Sequence, residues 1–310
     1  MTRHYLDVDD LSANELETVL DLAVEYKEKQ REGVPHPDLE RRTLGMLFQK
    51  PSTRTRVSFE TGMTQFGGHA IFLGADDIQL GRGEPLKDTA RTLSRYVDAV
   101  VARVFSHENV EELARYASVP VVNGLTDDAH PCQTLADLLT IREYAATTDG
   151  SSSNALDGVS AAWVGDGNNV CQSFAIGCAL AGIDLTIATP SGYGIDEDVI
   201  DRAADLGTAP TITTDPAAAV EGADVVYTDV WISMGQEDER DLRLGDFEGF
   251  RLDERLLTNA PDAAVMHCLP AHRGEEISED VLEGERSLVF DQAENRLHAQ
   301  KALLAWLLDR

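Results

Sequence analysis

Short apolar runs of strand type alternate with segments of helical period along the 310-residue chain, and this alternation constrains the fold more than any other feature. Strand-like runs fall at 43–49, 69–73, 99–105, 119–123, 158–164, 184–188, 224–228, 264–268 and 287–290. Helical periods fall at about 12–30, 55–66, 86–96, 110–117, 134–144, 169–180, 197–206 and 294–308. The first opens on a capping-box pattern, Ser12-Ala13-Asn14-Glu15. Strands that alternate with helices imply parallel sheets covered on both faces. A Thr-, Ser- and Gly-rich stretch at 147–154 reads as the connection between two halves. The expected fold is α/β with two domains, 1–147 and 148–293, each a mainly parallel sheet covered by helices.

In such sheets ligands lie at the carboxyl ends of the strands, so the strand-to-helix turns are the informative places. The first is Pro51-Ser52-Thr53-Arg54-Thr55-Arg56. Ser52 is a good N-cap, and the unpaired amides of the first helical turn, three hydroxyls and two guanidinium groups make an anion site, most naturally for phosphate. The second is His130-Pro131-Cys132-Gln133. There the proline holds His130 extended at a helix mouth, able to donate to a carbonyl beside the Gln133 amide. The third is Asp229-Val230-Trp231-Ile232-Ser233-Met234-Gly235, a carboxylate at a strand end suited to an ammonium group. The fourth is His267-Cys268-Leu269-Pro270-Ala271-His272, a thiol at a strand end. A metal on His267, Cys268 and His272 is not expected, because the sequence offers no second cysteine or spaced carboxylate to complete a set. The Gly165-Asp166-Gly167 turn lacks the third glycine of a dinucleotide fingerprint, having Val170 there.

Asp and Glu total 55 against 26 Lys and Arg, a formal net charge of −29. Such a chain would be repelled by nucleic-acid phosphates and by anionic membranes, and no apolar run approaches a membrane span. The N-terminal residues lack the apolar core of a signal peptide, so a cytoplasmic location is expected. Lysine occurs at 27, 29, 50, 87 and 301 alone, leaving 21 arginines. The acidic excess is spread along the chain and predicts a surface adapted to a salt-loaded cytoplasm, where screening removes self-repulsion. The four cysteines form no C-x-x-C pair and read as reduced thiols, with Cys171 and Cys178 in the core.

Together and in this order, the four turns resemble those of the aspartate/ornithine carbamoyltransferase family, over nearly the whole chain. H-P-C-Q, D-V-W-x-S-M-G and H-C-L-P look like the ornithine branch. The resemblance implies transfer of a carbamoyl group from carbamoyl phosphate to L-ornithine, giving L-citrulline and phosphate, with no metal or organic cofactor. It implies carbamoyl-phosphate contacts from Ser52, Thr53, Arg54, Thr55, Arg103, His130, Gln133, Cys268, Leu269 and Arg296, and from Gln79 of a neighbouring subunit. Ornithine contacts would come from Asn169 (or its neighbour Asn168), Asp229, Ser233 and Met234. Arg103, His130 and Cys268 would be catalytic, with the Cys268 thiolate taking the amine's proton. A homotrimer or an assembly of trimers is implied, and the last helix, 294–310, would belong to the first domain. Other readings are a carbamoyltransferase for putrescine or an acylated ornithine, a nicotinamide-dependent oxidoreductase and a catalytically silent homologue.

Overall fold

A computed structural model describes residues 2–74, 83–149, 156–233 and 235–308, and the chain divides into two compact units, Met1–Leu139 with Glu294–Arg310, and Thr140–Ala293. Among the described residues, the first unit is built from α1 (Ala13–Arg31), β1 (Thr43–Phe48), α2 (Thr53–Gln65), β2 (His69–Gly74), α3 (Leu86–Leu93), β3 (Ala99–Arg103), α4 (His107–Tyr116) and β4 (Val121–Leu125). Helix α5 (Pro131–Asp149) begins in this unit and runs on into the second. The strands are parallel in the order β2-β1-β3-β4. The chain therefore leaves β1 towards one side and β3 towards the other. Their carboxyl ends form the switch point at which such sheets bind ligands.

The second unit follows the same logic with β5 (Ser160–Val164), α6 (Asn169–Ala181), β6 (Asp184–Ala188), α7 (Glu197–Leu206), β7 (Thr211–Thr213), α8 (Pro216–Val220), β8 (Val225–Thr228), α9 (Arg240–Asp246), β9 (Ala264–His267) and α10 (Glu279–Leu282). Its parallel order, β7-β6-β5-β8-β9, puts the switch point between β5 and β8. Helix α11 (Val289–Leu307) ends in the first unit, where Ala299, Ala302 and Leu303 are buried.

The expected strand at 287–290 is not one. Ser287 makes a single bridge to Val265, and Val289 already opens α11. A four-residue apolar run has no period long enough to separate a strand from the first turn of a buried helix. Helix α5 likewise continues through 149, into the stretch expected to be loop, and 150–155 lie outside the described residues. The three-residue β7 and the short helices α8, α9 and α10 carry too few residues to show a period, and sequence reasoning passed over them.

Three of the five lysines are buried, all in the first unit. Lys27 on α1 donates to Asn295 Oδ1 on α11 at 2.6 Å. Lys301 donates to Gln65 Oε1 at 2.8 Å, lies 2.6 Å from His36 Nε2, and sits over the Tyr26 and Phe66 rings. Burial pulls its pKa down to about 8. Lys50 pairs with Asp127. No described helix is long and apolar enough to cross a membrane.

Gly167 follows β5 where the loop after β6 comes closest. A Cβ there would stand 2.5 Å from the Gly194 carbonyl carbon and 2.6 Å from Ile195 N, both backbone. Neither can move as a side chain can, so Gly167→Ala should lower stability by about 1–3 kcal/mol, read as a shift in the urea midpoint at unchanged slope.

Candidate active site

In the first unit the turn after β1 opens α2. Ser52 is its N-cap and accepts from Thr55 N at 3.2 Å. Thr53 and Arg54 occupy the first turn, with Thr53 exposed and Arg54 half-buried. Arg103 ends β3 directly beside Phe48 of β1. The β3–β4 register slips between Ala102 and Arg103, passing over Gly124. A side chain at Gly124 would press on Val101 Cγ1 at 3.1 Å and reach Thr55 Cγ2 at 3.6 Å, so the glycine lets α2 settle against the sheet.

His130 is buried and precedes Pro131 at the start of α5. The turn is fastened from inside, because the Cys132 thiol donates to Asn123 O on β4 at 3.3 Å. Burial pushes that thiol's pKa up to about 12. Burial also holds the imidazole of His130 well below its ordinary pKa, with Arg296, Arg103 and Arg54 adding to the effect. Three guanidinium groups from α2, β3 and α11 thus act on one neutral imidazole beside a helix N-terminus.

Arg296, buried, is fixed by its neighbours. It donates to Gln133 Oε1 at 2.7 Å, to Thr55 Oγ1 at 3.3 Å and to Gln300 Oε1 at 2.9 and 3.1 Å. Gln300 in turn donates to Ser58 Oγ at 2.6 Å. Gln133 also donates to Asp137 Oδ1 at 2.8 Å, so both ends of its amide are held by protein groups. The structure brings Ser52, Arg54, Thr55, Arg103, His130, Gln133 and Arg296 into one unit, and Gln79 lies outside the described residues. Sequence reasoning missed Gln300 and Ser58. The signal was available in part: Gln300 is one helical turn after Arg296.

In the second unit Asp229 is the hub. Asn168 caps α6 with its Oδ1, accepting from Val170 N at 3.0 Å and Cys171 N at 3.1 Å, and its Nδ2 donates to Asp229 Oδ2 at 2.9 Å. The Cys268 thiol donates to Asp229 Oδ1 at 3.0 Å. Strand register explains the meeting: Thr228 pairs with His267, so the next residue of each strand lies side by side. This corrects the expectation that no carboxylate could join His267 and Cys268, because Asp229 brings its oxygen within 4.8 Å of their ligand atoms. Among the described residues a second such group is His272, Glu275 and Glu276.

The thiol turn itself is braced. Leu269, with φ at 59°, donates its N–H to His267 Nδ1 at 2.9 Å, which leaves Nε2 to donate to the fully buried Glu276 at 3.0 Å. Asn169 lies in the first turn of α6, half-buried, and Ser233 N donates to Gln236 Oε1 at 2.9 Å. Met234 lies outside the described residues. The two amides a dinucleotide pyrophosphate would use are taken by Asn168, and Gly167 serves a backbone contact instead.

Two family models match, both of the aspartate/ornithine carbamoyltransferase family: its carbamoyl-P binding domain over residues 3–143 and its Asp/Orn binding domain over 157–307. The chain belongs to this family. A relative from Haloquadratum walsbyi, named ornithine carbamoyltransferase, is 62% identical over 98% of this chain and 97% of its own. One from Methanoculleus marisnigri with the same name is 53% identical over 99% and 97%. The solved ornithine carbamoyltransferase of Pyrococcus furiosus is similar at a TM-score of 0.91 and 52% identity, covering 98% of this chain and 96% of that one. The carbamoyl-P model covers Arg54, Arg103 and His130, and the Asp/Orn model covers the Asp229 hub and, in the last helix, Arg296.

A neutral His130 has a consequence for acid stability. Below its ordinary pKa of 6.5, the unfolded chain takes up a proton that the folded imidazole refuses. This contribution to stability is therefore complete above that value and is lost as pH falls towards the lower folded pKa. In His130→Asn the fall of unfolding free energy below pH 6.5 should be shallower than in the parent, as measured by urea titrations across that range.

Proposed function

We propose that the protein transfers the carbamoyl group of carbamoyl phosphate to the δ-amine of L-ornithine, releasing L-citrulline and phosphate. The observation that carries this reading is the convergence of Arg54, in the first turn of α2, Arg103 and Arg296 on neutral His130 at the start of α5. A phosphate leaving group needs that density of positive donors, and helix amides add to it. Ser52, Thr53, Arg54 and Thr55 bind the phosphoryl group. Arg103 and His130 donate to the carbamoyl oxygen as it gains charge, and Gln133 and Arg296 frame the pocket. A neutral imidazole can donate there without adding a further cation to the cluster.

Ornithine is bound by Asn169, Asp229, Ser233 and Met234, with Cys268 and Leu269 at the reacting end. The δ-amine is a cation in water and must lose a proton to become a nucleophile. Asp229 attracts it, and an ammonium arriving there displaces the thiol hydrogen from the carboxylate. The new bond joins the amine nitrogen to the carbamoyl carbon. The carbon–oxygen bond to phosphate breaks, and phosphate leaves with the electron pair. For this the Cys268 thiol, once displaced from Asp229, gives its own proton to solvent; the thiolate takes one proton from the δ-ammonium before attack, and the nitrogen's second proton leaves on the phosphate. The test is phosphate release and ureido-product formation from carbamoyl phosphate with ornithine, putrescine and N-acetylornithine in parallel, with ornithine expected to be the substrate and citrulline the product. Cys268→Ala should lower turnover by ~10²–10⁴-fold and leave the KM for carbamoyl phosphate close to the parent's. An unchanged turnover would remove Cys268 from the reaction.

The chain is also read as a trimer working in concentrated salt. Exposed apolar side chains on α2 and β2, Val57 and Ile71, support an assembly surface on the first unit. Gln79 would complete a neighbour's site across it. A charge of −29 per subunit repels itself when three subunits meet. At ~0.1 M salt the Debye length is ~10 Å, and at ~1 M it is ~3 Å. Light scattering with activity from ~0.1 to ~3 M KCl should show the assembly and its turnover lost at the low end. A stable, active oligomer there would mean that the acidic surface is not a salt adaptation.

A further inference from the structure

The loop after β8 carries Asp229 at its start and Ser233 four residues on. Its middle is gripped by a side chain that has no part in the chemistry above. Arg243 of α9 is 7% exposed. Its Nη1 donates to Trp231 O at 3.0 Å and to Asp166 Oδ2 at 3.2 Å, and its Nε donates to Glu239 Oε2 at 2.9 Å. Its guanidinium lies 5.0 Å from the centre of the Tyr193 ring. These partners belong to the turn after β5, the loop after β6, the loop after β8 and the residues leading into α9. The Tyr193 and Trp231 rings both pack on Phe247, which directly follows α9. One planar fork therefore ties together the segments at the carboxyl ends of β5, β6 and β8.

We propose that Arg243, with Asp166, is a positioning residue for amino-acid substrate: by holding Trp231 O and the Asp166 carboxylate in one fork, it sets where Asp229 and Ser233 stand. The inference rests on the ornithine reading of this half of the site.

Stability alone does not account for the pair. Burial raises the pKa of Asp166 to about 6, and this outweighs the opposing pull of Arg243. A raised folded pKa means that the carboxyl's contribution to stability is present at low pH and is lost as pH rises through about 6. At neutral pH the ionised Asp166 is thus a liability to the fold, which an uncharged pair of similar volume would avoid. What the ions add is geometry: Nη1 serves Trp231 O and Asp166 Oδ2 while Nε, on the same rigid guanidinium, holds Glu239, a set of fixed donor directions that a lysine ammonium does not reproduce. The charged and titratable groups facing Asp166 are Arg243 and Glu239 from the α9 side, Asp229 after β8 and the Cys171 thiol of α6. As pH falls through about 6, Asp166 is protonated and the ionic half of the fork weakens, while the bond to Trp231 O remains.

The experiment uses the full chain at high salt. Variants are Arg243→Lys, Asp166→Asn and the double variant Arg243→Gln/Asp166→Asn, which leaves no buried charge unpaired should the single lysine variant fold poorly. In Arg243→Lys and in the double variant, the KM for ornithine should rise about tenfold or more, the scale of one lost charge-assisted hydrogen bond, with the KM for carbamoyl phosphate within about twofold. In the parent the KM for ornithine should rise as pH falls through about 6, and Asp166→Asn should remove that inflection. Hydrogen exchange of the 229–233 backbone should quicken in Arg243→Lys and in the double variant. Ornithine KM and exchange both at parental values would overturn the proposal, and so would a parallel rise in both KM values. A parent that forms no citrulline from ornithine would refute the functional reading instead, and the exchange measurement would still decide whether Arg243 holds the loop.

Discussion

Three guanidinium groups gathered at the positive end of a helix repel one another and the helix dipole alike, and the first unit is organised around holding them there. Arg54 comes from α2, Arg103 from β3 and Arg296 from α11. Each opposes its neighbours until an anion arrives, so each needs support that does not depend on ligand. For Arg296 that support is the Gln133, Thr55 and Gln300 set, with Gln300 carried on by Ser58. Arg296 is also close to the end of the sequence. The anion site is therefore incomplete until the last helix has docked on α1 and α2, through contacts such as Lys27 with Asn295 and Lys301 with Gln65.

The second unit solves a different problem with one carboxylate. Asp229 receives Asn168 on one oxygen and Cys268 on the other. Its carboxylate is therefore oriented before any substrate ammonium comes near. The donors holding it are neutral, so its charge remains available to a cation. The helix cap, the thiol turn and the strand end are thereby joined through a single residue.

Much of this was legible in the sequence because parallel sheets place their binding turns at strand ends, and those turns carry unusual residues: Ser52 to Arg56, His130 to Gln133, Asp229 to Ser233, and Cys268. What was not legible depends on register and on burial. Nothing in the spacing of Asp229 and Cys268 says that β8 and β9 are neighbours aligned at Thr228 and His267. Arg243 lies between two leucines in a seven-residue helix, and at that length it reads as an ordinary surface charge. Gln133, expected in the turn before a helix at 134–144, lies on α5 itself, and its bond to Arg296 could not be foreseen, since that partner lies far along the chain. The 287–290 run failed for want of length, because a buried helix start and a buried strand are equally apolar over four residues.

The distribution of lysines has a practical reach. Lys27, Lys50 and Lys301 are each buried against a partner, which leaves Lys29, half-exposed beside Glu25, and the exposed Lys87 as the side-chain ammonium groups accessible to solvent. An acylating reagent directed at primary amines would therefore meet two lysines on the folded subunit and five on the unfolded one. The number of tags per chain becomes a gauge of the folded fraction that works in concentrated brine, where the refractive index and ionic background hamper many optical and calorimetric readings.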